Sequence, residues 1–136
     1  PLCTFLSGGL DSSVITALAA NKYAESGKTL STYSFDFTGN DKYFRPTAFQ
    51  PDADKPFAQR MVDFCRTDHT YLECGNVRLA DCLYNAVDAK DLPGMADVDS
   101  SLLYFCSLVK KKHVVALSGE CADEIFGGYP WFHKKE

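Results

Sequence analysis

No uninterrupted apolar run in this chain approaches the ~20 residues that a helix needs to cross a bilayer, which argues against a membrane partner. There is no basic excess either. Lys and Arg number 14 against 18 Asp and Glu, for a net charge of −4. That mildly acidic balance argues against a nucleic-acid partner, which usually selects for a basic protein. None of the six cysteines forms CxxC, and none stands at zinc spacing from a histidine. Several sit in apolar runs, as in Asp63-Phe64-Cys65 and Tyr104-Phe105-Cys106, so free buried thiols of a cytoplasmic protein are expected. Internal repeats, low-complexity stretches and a visible signal peptide are also missing. The chain starts at Pro1 directly on an apolar strand, and this suggests that upstream sequence has been removed. It ends at Lys134-Lys135-Glu136 without a helix stop signal. With 136 residues and 46% hydrophobic content, one domain or part of one is expected.

The most informative segment is Ser7-Gly8-Gly9-Leu10-Asp11-Ser12-Ser13. It follows the apolar run Leu2 to Leu6, which reads as a buried strand. It precedes Val14, Ile15, Leu18 and Ala19 at helical spacing. A Gly-rich turn from strand end to helix start is built to hold an anion. The helix start offers unpaired N–H groups and positive dipole charge. Gly8 and Gly9 let the backbone approach a phosphate, and Ser7, Ser12 and Ser13 add hydroxyl donors. Asp11 would repel a phosphate unless a divalent cation lay between them. A plainer reading is that Asp11 or Ser12 caps the helix above a tight turn. A P-loop is ruled out because the Lys of GxxxxGK[ST] is missing.

Along the chain, strand and helix signals alternate. A helix is expected from about Ser12 to Tyr23, ending near Gly27, and a strand over Thr29 to Phe37. Thr38 to Pro56 reads as a long irregular stretch, with Gly39, Pro46, Pro51 and Pro56 and several aromatics; such loops are usually functional or mobile. Pro56 suits the first turn of a helix to about Arg66, and His69 to Glu73 reads as a strand. Asn76 is a candidate cap for a helix with Leu79, Leu83, Ala86 and Val87 on its apolar face. Asp91 to Gly94 breaks it, and Asp99 or Ser100 can cap a further helix carrying Leu102, Leu103, Phe105, Cys106 and Val109. Lys110 to Lys112 complement that helix's negative end. His113 to Leu117 reads as a fourth, almost continuously apolar strand. The alternation implies an α/β fold: a doubly wound parallel sheet with helices on both faces. In such sheets ligands bind beyond the carboxyl ends of the strands.

The fourth strand also ends in Ser-Gly, within Ser118-Gly119-Glu120-Cys121-Ala122-Asp123-Glu124. Two Ser-Gly loops on one sheet edge are expected to form a single site. If Gly119 opens a helical turn, Glu120, Asp123 and Glu124 share one face. Asp11 and Asp123 could then hold Mg²⁺ between them, with phosphate oxygens completing the shell. The plainer reading is that these acids complement a helix dipole. Gly127 to His133 adds a turn and an aromatic cluster, which could wall a pocket or simply pack. His69, His113 and His133 read as ordinary structural residues.

Ser7-Gly8-Gly9-Leu10-Asp11-Ser12-Ser13 resembles the pyrophosphate-binding loop of the PP-loop ATP-pyrophosphatase superfamily, whose fold is of the adenine nucleotide alpha hydrolase-like type. Ser118 to Glu120 and Asp123 to Tyr129 resemble the second signature of glutamine-hydrolysing asparagine synthetases. Asp91 to Ser101 is similar to a segment of some bacterial members. The resemblance covers nearly the whole chain. It implies that residues 1–136 are part of the ATP-pyrophosphatase domain of a cytoplasmic amide ligase. The N-terminal glutaminase domain (a glutamine amidotransferase module) and the C-terminal helical part with its lysine would lie outside the chain.

The resemblance further implies the chemistry. ATP activates the aspartate side-chain carboxylate as β-aspartyl-AMP with release of pyrophosphate, and ammonia from glutamine then displaces AMP to give asparagine. Ser7, Gly8, Gly9, Asp11, Ser12 and Ser13 would cradle the pyrophosphate. Asp11 and Asp123 would hold Mg²⁺. Leu6 and Phe37 would flank the adenine and read its edge through their backbone groups. Ser118 and Gly119 would approach the ribose or α-phosphate, and Glu120 would serve as acid or base near the amination step. The family typically has Gly and Ser where this chain has Cys121 and Ala122. The isolated piece is expected to bind Mg·ATP weakly without turning over. The rival readings are a β-lactam-synthetase-like ligase on the same fold and a non-catalytic nucleotide-binding module. A homodimer stays open.

Overall fold

A computed structural model describes residues 1–47 and 52–133. Pro51 of the irregular stretch and the terminal Lys134-Lys135-Glu136 lie outside the described residues. Four strands, β1 (Leu2–Phe5), β2 (Ser31–Phe37), β3 (Asp68–Cys74) and β4 (Val115–Leu117), form one sheet in the order β3-β2-β1-β4. Every pairing is parallel: Cys3 lies opposite Ser31 on one side and Ala116 on the other. The helices are α1 (Leu10–Glu25), α2 (Asn40–Tyr43), α3 (Lys55–Cys65), α4 (Asn76–Lys90), α5 (Ala96–Val109) and α6 (Ala122–Phe126). A 3₁₀ turn follows at Pro130–His133. Strand order steps outward from β1 to β3, then returns past β1 to β4. Right-handed crossovers therefore place α1 and α3 on one face, and α4 and α5 on the other. The chain is a doubly wound α/β sheet with its reversal between β1 and β4.

The two faces have different cores. Toward α5, Cys3, Tyr33 and Val109 form a buried cluster joined by Phe5, Phe35 and Leu72. Phe35 stacks on Phe105 at 4.4 Å between ring centroids and meets Phe5 edge-on at 4.8 Å. Burial of Phe105 stabilises the fold by roughly 2–3 kcal/mol. On the other face, the residues that α1 buries are small or hydroxylic: Ser12, Thr16 and Ala20. Thr4 and Thr16, both fully buried, share a 2.9 Å hydrogen bond. Each hydroxyl thereby meets the requirement that a buried polar group be partnered.

Several expectations are corrected here. The buried stripe of α1 is Ser12, Thr16 and Ala20, while Leu10, Val14 and Leu18 face outward. Apolar periodicity pointed to the opposite side because the contact with β1 is made by short side chains and a hydroxyl pair. Helix α1 starts at Leu10, with the extended Gly9 as its cap residue, so neither Asp11 nor Ser12 is the cap. Helix α4 is capped by Gly75 and already contains Asn76. Helix α5 starts at Ala96, ahead of both proposed caps. The Asp99 carboxylate instead takes a 2.6 Å ion pair from Lys90, and Ser100 Oγ donates back to the Asp97 carbonyl. The irregular stretch contains a helical turn, α2. Strand β4 is short and lies at the sheet edge, with Val114 and Val115 exposed. All six cysteines are free, but only Cys3 and Cys74 are fully buried, and Cys121 is exposed.

Candidate functional site

Both Ser-Gly loops leave the carboxyl edge of the sheet at the β1/β4 reversal, where ligands of such sheets bind. In the first loop, Gly8 at φ +91° turns the chain out of β1, a conformation that L side chains rarely adopt. Ser12 Oγ braces the turn: it accepts the Ser7 N–H at 3.3 Å, lies 2.9 Å from Ser7 Oγ and donates to the Gly9 carbonyl at 3.2 Å. Ser7 Oγ also accepts the Gly9 N–H at 3.3 Å. The Ser13 N–H returns to the Gly9 carbonyl at 3.1 Å. The first-turn amides of α1 at Leu10, Asp11 and Ser12 have no intrahelical acceptor, and among the described residues no side chain caps the helix. They leave a partly positive helix end beside the exposed Ser7 and Gly9.

The second loop docks on this helix start. A Cβ on Gly119 would lie 2.7 Å from the Ser12 nitrogen and 3.0 Å from Asp11 Cβ. The two loops thus form one constellation, as their positions at the ends of β1 and β4 led one to expect. Ser118 Oγ accepts the Glu120 N–H at 3.1 Å. Cys121 adopts φ +68°, and α6 begins only at Ala122. That left-handed residue takes Glu120 off the helical path, so Glu120 does not share a helical face with Asp123 and Glu124 as expected. Asp123 is half-buried, its carboxylate lying so close to Gly128 that a Cβ there would overlap it. Glu124 accepts the Tyr129 hydroxyl at 3.1 Å, and this hydrogen bond raises the tyrosine pKa above its usual range. Tyr129 stacks on Trp131 with ring centroids 4.2 Å apart.

The remaining sequence-derived residues have varied surroundings. Leu6 is 1% exposed; its N–H donates to the Tyr33 carbonyl at 2.8 Å, and its carbonyl accepts the Ser34 hydroxyl. Its N–H has no capacity left for a purine, and only a second carbonyl lone pair remains. Phe37 is 42% exposed at the end of β2, its ring edge-on to Phe105. Sequence reasoning missed Phe57 and Ala58 of α3. A Cβ on Gly8 would lie 2.5 Å from the Ala58 nitrogen and 2.8 Å from Phe57 Cβ. The expected helix from Pro56 located this element, but no local signal reported that its first turn meets a loop fifty residues upstream.

Among the described residues, no group of three or more His, Cys, Asp and Glu side chains is gathered to hold a metal ion. Mg²⁺, however, is commonly held by one or two carboxylates together with substrate phosphates, and that mode needs no such cage. Asp11, in the first turn of α1, and Asp123, in α6 just beyond the loop docked against that turn, offer carboxylate oxygens of the kind this mode uses.

The asparagine synthase family profile matches residues 1–136. The chain is 60% identical over 134 residues to asparagine synthetase (glutamine-hydrolyzing) 3 of Bacillus subtilis, covering 98% of this chain and 22% of that protein. It is 29% identical over 143 residues to asparagine synthetase (glutamine-hydrolyzing) 2 of Oryza sativa, again covering 98% of this chain and 22% of the relative. The chain therefore spans about a fifth of the length of these curated relatives. Among solved structures, the NAD+ synthetase from Burkholderia pseudomallei aligns with 99% of this chain and 67% of its own, at 18% identity and a TM-score of 0.43. By the match of the family profile along its entire length, the chain belongs to the asparagine synthase family.

Proposed function

We propose that residues 1–136 are the ATP-binding core of the synthetase domain of an asparagine synthetase. The full-length protein activates the aspartate β-carboxylate as β-aspartyl-AMP and aminates it with ammonia derived from glutamine on a separate N-terminal domain. The observation that carries this reading is the docking of Gly119 on the uncapped start of α1, which joins the two signature loops at the sheet reversal. The partners are ATP, aspartate, glutamine-derived ammonia and the remaining chain of the longer protein.

In this reading the first-turn amides of α1 receive the β- and γ-phosphates. Gly9 is suited to close approach, since a Cβ there would meet only Ser7 Oγ at 3.4 Å. Ser12 keeps the loop open through its hydrogen bonds to Ser7 and Gly9. Asp11 and Asp123 would hold Mg²⁺, which supplies charge stabilisation for the departing pyrophosphate. Phe37 offers an exposed ring to the adenine. An aspartate carboxylate oxygen attacks the α-phosphorus, and the bond to the pyrophosphate oxygen breaks. Ammonia then attacks the acyl carbon, and AMP leaves with that carboxylate oxygen. Glu120, exposed at the mouth of the second loop, takes the proton that the attacking ammonium must shed.

The test is pyrophosphate release from ATP by the full-length protein, with and without aspartate. Release should require aspartate and should fall by about 100-fold or more in Asp11→Ala and Asp123→Ala. Aspartate-independent release would overturn the substrate; undiminished release in both variants would overturn the metal assignment.

A further inference from the structure

Gly8 was expected to serve a phosphate, but its surroundings are protein. At the position a Cβ would take, the Ala58 nitrogen is 2.5 Å away, Phe57 Cβ 2.8 Å and the Phe57 carbonyl carbon 2.9 Å. By contrast, a Cβ on Gly9 would meet only the Ser7 hydroxyl, at 3.4 Å. The adjacent glycines therefore divide the work: Gly9 faces outward, and Gly8 seats the first turn of α3. That turn is well anchored. The Phe57 and Ala58 amides both donate to the Asp54 carbonyl at 3.0 Å, Ala58 is 1% exposed, and α3 packs along α1. Phe57 is 40% exposed, with its ring beneath the Arg60 guanidinium at 5.5 Å. The atoms of Phe57 nearest Gly8 are its Cβ and its carbonyl carbon.

We propose that Phe57 is a positioning residue for the phosphate loop: its Cβ and backbone, with the Ala58 amide, hold Gly8 at positive φ and thereby aim the Leu10 and Asp11 amides. The ligand part of this proposal rests on the reading of the loop as a triphosphate site; the contact does not. The first turn of α3 then becomes a support of the nucleotide site. Shaping a loop before its ligand arrives avoids an ordering cost at binding, so loosening it should weaken affinity with little change in global stability.

The test compares Phe57→Gly, Phe57→Ala and Arg60→Gly in the full-length protein. Phe57→Gly removes the Cβ that meets Gly8, Phe57→Ala keeps it while removing the same ring, and Arg60→Gly carries a helix-propensity penalty at least as large without touching Gly8. Hydrogen exchange at the Gly8 to Asp11 amides should speed up about tenfold in Phe57→Gly alone. Calorimetric titration with Mg·ATP, and separately with Mg²⁺ and inorganic pyrophosphate, should show about tenfold weaker binding in Phe57→Gly alone. Equal loop exchange in Phe57→Gly and Phe57→Ala would overturn the proposal, as would an equal acceleration in Arg60→Gly. If wild-type protein bound neither probe, the triphosphate reading would fail, and the exchange comparison would still decide whether α3 holds the loop.

Discussion

Gly119 stands so close to Ser12 that a single added methyl group would lie 2.7 Å from the Ser12 amide nitrogen. Two stretches more than a hundred residues apart thus meet without room for a side chain. The contact falls on the helix start that would receive phosphates and beside the carboxylate that would hold their cation. Gly119→Ala should push the loops apart, weaken Mg·ATP binding by about tenfold or more and lower Tm. Titration calorimetry and a thermal melt read both effects. Unchanged affinity would mean that the loops do not act together.

Cys121 occupies a left-handed conformation at φ +68°. An L side chain is disfavoured there by about 1–2 kcal/mol, which explains why glycine suits the position in the family that the chain resembles. Cys121→Gly should raise stability by roughly 0.5–1 kcal/mol. Cys121→Val should lower it, since a branched side chain tolerates positive φ poorly. Urea midpoints measured side by side would show the two shifts; a drop in both variants would assign the thiol a packing role.

The cysteines should differ sharply in reactivity. Burial, with a smaller contribution from neighbouring Cys106, pushes the Cys3 thiol from 9.0 up to about 11. Cys74 is likewise raised by burial, whereas Cys121 lies exposed. At mildly alkaline pH, iodoacetamide should modify Cys121 first and leave Cys3 intact until denaturant is added, as peptide mass spectrometry would show. Early labelling of Cys3 would contradict the packing of β1 between its neighbours.

His69 should make stability fall on the acid side. Its Nδ1 lies 2.7 Å from Thr32 Oγ1, while Nε2 is buried without a partner among the described residues. Burial lowers its pKa below the ordinary 6.5, with Asp68 partly opposing. Below about pH 6.5 the unfolded chain takes up a proton that the folded chain refuses, so stability is lost as pH falls toward the lowered folded value. Tm should drop between pH 7.5 and 5.5, and less so in His69→Gln. An equal drop in the variant would place the acid sensitivity elsewhere.

Much of the architecture was legible because it follows from local rules. Strand and helix periods alternate, Gly27 ends α1 and a left-handed Arg66 ends α3 where expected. Both Ser-Gly loops could be placed on one sheet edge because parallel strands all end on the same side. What escaped reading depends on tertiary fit. The buried side of α1 follows Thr16 and its partner Thr4, a choice that apolar periodicity cannot report. Gly8 and Gly119 look like phosphate glycines in sequence, yet each is pressed against protein, and only the fold reveals against what. The break after Glu120 depends on one left-handed residue that carries no glycine to announce it.

Oxygen transfer tests the account's central claim most directly. Aspartate carrying ¹⁸O in its β-carboxylate would be given to the full-length protein with ATP and glutamine, and the AMP produced would be weighed by mass spectrometry. If the carboxylate attacks the α-phosphorus, each AMP carries one ¹⁸O and the pyrophosphate carries none. AMP without label, or label in phosphate or pyrophosphate, would contradict activation through an aspartyl-AMP.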